Sequence, residues 1–122
     1  MLTAQRTVWD GVYSEPQADA GAALYDEHCS RCHGDALEAG DAGPPLLGPD
    51  FRGNWDGFNL KDLYERIRAM PSFQTQPRDR IVNTNILAYL LRINGFPDGA
   101  VELPSRSELL AGIKIRADRP KK

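Results

Sequence analysis

Within its 122 residues the chain has two cysteines, three positions apart, with a histidine directly behind the second: Cys29-Ser30-Arg31-Cys32-His33. No other feature limits the possible fold so tightly. Positions i, i+3 and i+4 share one helix face, so a helical backbone here aims two thiols and one imidazole at the same object. A dithiol redox site expects a strand–helix–strand setting, and nothing upstream of Cys29 reads as a strand. A structural zinc needs four ligands, usually in two separated pairs, whereas His28, Cys29, Cys32 and His33 are nearly contiguous. A disulfide between Cys29 and Cys32 closes too small a loop to stabilise much. The remaining reading fits the geometry best. Two thiols three residues apart reach the vinyl groups on one edge of a porphyrin, and His33 reaches its iron. The pattern predicts one covalently attached haem c.

Haem iron takes a ligand on each face, so the second must come from elsewhere in the chain. His28 directly precedes Cys29 and cannot cross to the opposite face of the ring. Met1 is a chain terminus, where order is usually poor. Met70 remains. It follows a helical stretch and precedes Pro71, a place where a thioether can be aimed without obeying a helix register. An isolated methionine is more often core filler, but this is the one eligible sulfur. His33/Met70 ligation raises the reduction potential and leaves no open coordination position, which favours outer-sphere electron transfer over oxygen chemistry.

The length suits one domain over residues 1–122, with 1–17 as an N-terminal strap and 112–122 as a C-terminal tail. A hydrophobic fraction of 41% can build a modest core, while 11 Gly and 9 Pro imply much irregular backbone. No apolar run approaches membrane-spanning length, and no nucleic-acid partner is expected of a chain with net charge −2. That charge is unevenly spread. Residues 1–50 have two basic against nine acidic side chains, a net of −7, and residues 51–122 have 13 against eight, a net of +5. Arg66, Arg68, Arg78 and Arg80 flank Met70 and suggest a docking rim; an ordinary solvated surface fits them as well. Met1 to Arg6 lacks the apolar region of a signal peptide.

Patterning predicts an all-α chain. Asp19–Cys29 reads as a helix with Gly21, Leu24, Tyr25 and His28 on one stripe. Gly34–Asn59 shows no periodicity, and so long an irregular stretch needs a functional reason, such as wrapping a large planar cofactor. Leu60–Ala69 reads as a short helix burying Leu60, Leu63, Tyr64 and Ile67, ended by Pro71. Pro77 suits the first turn of a helix running from Arg78 to Asn94 and closed by Gly95. Ser105–Ala111 is a further short candidate, and Arg119–Lys122 is expected to fray.

Taken together, Gly21-x-x-x-Tyr25-x-x-x-Cys29-x-x-Cys32-His33, Pro44-Pro45-Leu46, Met70-Pro71 and Tyr89-Leu90-Leu91 resemble the class I cytochrome c family over most of the chain. The resemblance implies that fold, with three to five helices and long loops around a covalently bound haem. It implies that the first and last main helices cross beside the haem, with Gly21 allowing the approach and Tyr25 and Tyr89 packing there, although ordinary helix core fits the same residues. It also implies that a carbonyl of the Pro44-Pro45 turn accepts a hydrogen bond from His33 Nδ1–H, fixing the tautomer. Trp55 resembles an aromatic residue packed near a haem propionate, although plain core packing fits it equally well. Attachment of the haem outside the cytoplasm is implied too, hence a periplasmic or exported protein, with a tether in a segment missing here as the alternative; with no signal peptide in Met1 to Arg6, the sequence is then expected to be a processed or trimmed form.

More narrowly, Phe51-x-x-x-Trp55, Leu63-Tyr64-x-Arg66-Ile67-Arg68 and Ala88-Tyr89-Leu90-Leu91-x-x-Asn94-Gly95-Phe96-Pro97 look like cytochrome domains that serve quinoprotein (PQQ-dependent) dehydrogenases. Gln76-Pro77-Arg78 departs from the Ser or Asp cap expected before the last helix. The resemblance implies a one-electron carrier, not an enzyme, whose partners are redox proteins: a dehydrogenase donor and an oxidase or other cytochrome acceptor. The alternatives are an electron-accepting subunit of a dehydrogenase complex, or a haem peroxidase or gas-binding protein. The last would need a labile sixth ligand and a distal polar group.

Overall fold

Ser14 starts the first main helix. In a computed structural model that describes residues 6–29, 46, 48–69 and 79–119, α1 runs Glu15–His28. The Ser14 hydroxyl accepts from Gln17 N–H at 3.3 Å, while Gln17 Oε1 accepts from Ser14 N–H at 3.2 Å. This reciprocal box satisfies two amides that a helix start leaves unpaired. It moves the helix start upstream of Asp19, the position expected from sequence, and shortens the irregular strap. Pro16 falls in the first turn, where it loses no helical hydrogen bond.

The stretch expected to be irregular between Gly34 and Asn59 contains a helix, α2, over Gly48–Trp55. Pro49 suits a first turn, Asp50 places a carboxylate near the positive end of the dipole, and Phe51 is its buried residue. With two glycines in eight positions its pattern shows no period. Residues 34–45 lie outside the described residues. Helix α3, Leu60–Ala69, has the expected bounds and buries Leu60, Leu63, Tyr64 and Ile67 as expected.

Helix α4, Arg80–Ile93, begins later than Pro77 suggested. Asp79 caps it, its Oδ1 accepting from Val82 N–H at 2.8 Å, so the acidic cap expected of such a helix is present two residues further on. Gly95 ends it at φ +88°. The amide of Gly95 donates to Arg92 O and that of Phe96 to Leu91 O, both at 3.0 Å. This is the left-handed helix stop that glycine adopts without strain.

Helices α1 and α4 cross at Gly21. A Cβ there would lie 1.8 Å from the Asn85 carbonyl oxygen and 2.8 Å from Tyr89 Cβ, so only glycine fits this contact. Around the crossing, Tyr25 meets Tyr89 with ring centroids 5.7 Å apart, and Arg92 bonds Asp19 at 2.6 Å. The core continues through Ile86, Leu87, Leu90 and Leu91 to Leu60 and Leu63.

The tail is more ordered than expected as far as Arg119. After α5, Ser107–Leu110, a two-residue strand β2 (Ile113–Lys114) pairs in parallel with β1 (Arg6–Thr7). Thus a strand does lie upstream of Cys29, paired to the tail. The fold remains all-α, with five α-helices among the described residues. None of those helices is long and apolar enough to cross a membrane.

Candidate haem site

Cys29 closes α1. Its amide donates to Tyr25 O at 2.8 Å, and the residue is half-buried and packs against the core. The C-x-x-C-H motif therefore begins where the helix that crosses α4 ends. His28 is the last residue of that helix. Cys32, His33 and Met70 lie outside the described residues, as do Pro44 and Pro45, so the convergence expected of them stays a sequence-level expectation. Met70 follows directly on Ala69, the last residue of α3.

Leu46 packs against the core, and its carbonyl accepts from Asn94 Nδ2 at 3.0 Å. The same nitrogen donates to Leu90 O at 2.8 Å, and Asn94 Oδ1 accepts from Gly48 N–H at 3.1 Å. Asn94 is itself 2% exposed. In the sequence its signal was only that of a helix ending before glycine. Trp55 is half-buried at the end of α2, its ring 6.5 Å from Phe51 and 5.5 Å from Phe58. These residues suit the group. A porphyrin is a broad apolar disc that needs apolar walls, and Cys29, Leu46 and Trp55 all border the core half-buried.

Arg66 and Arg68, in the last turn of α3, and Arg80, in the first turn of α4, are exposed; Arg78 lies outside the described residues. Arg68, Arg80 and Arg106 line one open cleft of about 220 Å³ with Tyr64, Glu65 and Glu108. Arg106 comes from a different part of the chain and had no sequence signal linking it to the other two. Arg68 bonds Glu65 at 2.8 Å, and Arg106 bonds Glu108 at 2.8 Å. The Arg68 hydrogen bond holds the Glu65 carboxyl below its ordinary range. Burial pushes the Tyr64 phenol up, and a hydrogen bond with Asn83 acts against that rise.

A helix crossing sealed by Gly21, with a C-x-x-C-H motif opening at the end of one partner, defines a c-type cytochrome domain. The comparisons agree: the family model described as "Cytochrome C oxidase, cbb3-type, subunit III" matches residues 16–90. That is more than half of the chain, which belongs to this family. No curated protein and no solved structure matches it. The chain is a haem-binding electron-transfer cytochrome domain of the all-α class I fold, and its family implies covalently bound haem c with iron.

Proposed function

We propose that this chain is a monohaem cytochrome that carries single electrons between periplasmic redox proteins. Cys29 and Cys32 hold the ring through thioethers, His33 is the proximal ligand and Met70 the distal one. When bound, the haem supplies a one-electron couple, Fe(III)/Fe(II). The chain's part is to orient and shield that couple. The helix pair α1 and α4 presents Cys29 from a fixed point, apolar residues exclude water from the ring, and two axial ligands leave no position for substrate. The observation that carries this reading is the start of the C-x-x-C-H motif at the half-buried end of α1, the helix locked to α4 at Gly21.

Intact mass under denaturing conditions is the first test: an increment of one haem is expected, and its absence would remove the reading. Met70→Ala is then expected to lower the reduction potential and to give a high-spin form that binds carbon monoxide when reduced. A variant with the parent's spectrum and potential would sink the His/Met carrier, and a parent that binds carbon monoxide readily would favour a gas-binding or peroxidase role.

The arginine-lined cleft between α3, α4 and α5 favours a second, compatible reading: the chain is the electron-accepting subunit of a dehydrogenase complex. The resemblance to cytochromes of quinoprotein dehydrogenases supports it. An acidic donor docked there gives transfer rates that fall steeply with ionic strength. Rates indifferent to salt, and unchanged in Arg80→Glu, would count against it.

A further inference from the structure

We infer that Arg80 fixes which partner the cleft between α3, α4 and α5 accepts, namely a protein segment that presents one carboxylate beside an apolar side chain; this rests on the docked-donor reading above. Three guanidiniums line the cleft, each from a different part of the chain, together with two carboxylates. Arg68 Nε–H donates to Glu65 and Arg106 Nε–H to Glu108, both at 2.8 Å. Among the described residues no carboxylate pairs with Arg80. Two of the three positive charges are thus matched within the chain, and the third is left for an outside group. A guanidinium's fork of donors suits a carboxylate held by two bonds.

The same charges decide between occupants. A free phosphate brings about two negative charges at neutral pH to a cleft that already holds Glu65 and Glu108, and their repulsion offsets the pull of Arg80. A single carboxylate meets a single unpaired guanidinium. The neighbours of Arg80 also suit a protein. Ile81, next to it on α4, is 59% exposed, and Leu109, next to Glu108 on α5, is 54% exposed. Apolar groups beside an arginine shut out water and strengthen its ion pair, and a small anion has nothing to set against them. Both internal pairs are exposed, so each glutamate holds its arginine weakly and competes with the partner's carboxylate.

The test is an NMR titration of the matured 122-residue chain with the capped peptide acetyl-Leu-Asp-Leu-amide as probe. Saturable shifts are expected at the Arg80 guanidinium and at the methyls of Ile81 and Leu109. The peptide with Asn in place of Asp should bind about tenfold more weakly, and Arg80→Gln is expected to lose the same factor. Removing a neutral pair, Arg68→Gln with Glu65→Gln, should change binding by roughly twofold at most. Glu108→Gln acts in the opposite sense: it frees Arg106 and is expected to tighten binding about threefold, a gain that a merely structural role does not produce. Equal losses in Arg80→Gln and in the Arg68–Glu65 double variant overturn the inference. So does inorganic phosphate binding as tightly as the Asp peptide at matched ionic strength, which would make the cleft a small-anion site, and so does a peptide that does not bind. The docked-donor reading fails separately, on transfer rates indifferent to salt.

Discussion

Two buried residues show how much one side chain decides in this domain. Gly21 has no alternative, since any Cβ would sit 1.8 Å from the Asn85 carbonyl oxygen. Gly21→Ala is expected to destabilise the fold by about 3 kcal/mol, at the upper end of overpacking costs, read as a lower urea midpoint. Tyr13 is buried and donates to Phe96 O at 2.6 Å, joining the strap to the chain just after α4. Tyr13→Phe should cost about 1 kcal/mol. Tyr13 also predicts a pH dependence. Burial, aided by Asp98, pushes its phenol above the ordinary value of 10.0. The folded protein therefore holds that proton to higher pH than the unfolded chain does. Stability from this source is complete below about pH 10 and is lost as pH rises through the folded value. The urea midpoint should fall in alkali, and less steeply in Tyr13→Phe. Equal slopes in the two proteins would refute the assignment.

At the scale of elements, helix starts are the features most firmly tied to the rest of the fold. Gln17 belongs to the capping box of α1, yet it also holds the C-terminal segment. Its Oε1 accepts from Leu103 N–H at 2.7 Å, and its Nε2 donates to Leu103 O at 3.0 Å. Gln17→Ala strips partners from buried amides on both segments, with an expected loss of about 3 kcal/mol, whereas Ser14→Ala loses a cap worth about 1 kcal/mol. The double variant should cost less than the sum, since the two share one network; strict additivity would show that the box and the Leu103 bonds act separately. The elements also show where sequence patterning succeeds. Leu60–Ala69 was legible because its apolar residues keep a helical period on one face. Gly48–Trp55 was not, because a helix with one buried side chain, Phe51, has no period to read.

For the whole molecule, the first and last described segments, residues 6–9 and 113–119, close on each other. Trp9 Nε1 donates to Arg116 O at 3.0 Å, and the Arg119 guanidinium lies 4.9 Å from the Trp9 ring. Ala117 N–H donates to Asp56 at 2.8 Å, and Gly57, Phe58 and Ile115 exchange backbone bonds nearby. Ile113 and Ile115 are buried beneath this closure. Deleting residues 112–122 removes both, and at about 2 kcal/mol for each buried isoleucine the domain should lose roughly 4 kcal/mol. The haem motif lies within the family-matched residues 16–90, so the shortened chain is expected to mature with its cofactor but melt earlier. An unchanged melting midpoint would mean that the closure contributes nothing.

Sequence alone was enough to point to a haem-binding cytochrome of the helical class, which the family match supports. The spacing of Cys29, Cys32 and His33 is a motif within five residues, and the stripes in α1 and α3 are local periodicities; neither needs a distant partner to be read. Only the tertiary structure decided what joins residues far apart: Gly21 against Asn85, Asn94 holding Leu46 and Gly48, Arg106 beside Arg68 and Arg80, and the tail against the strap. Those contacts arise from the way helices cross and chain ends return, and hydrogen bonds between residues remote in sequence leave no period along the chain.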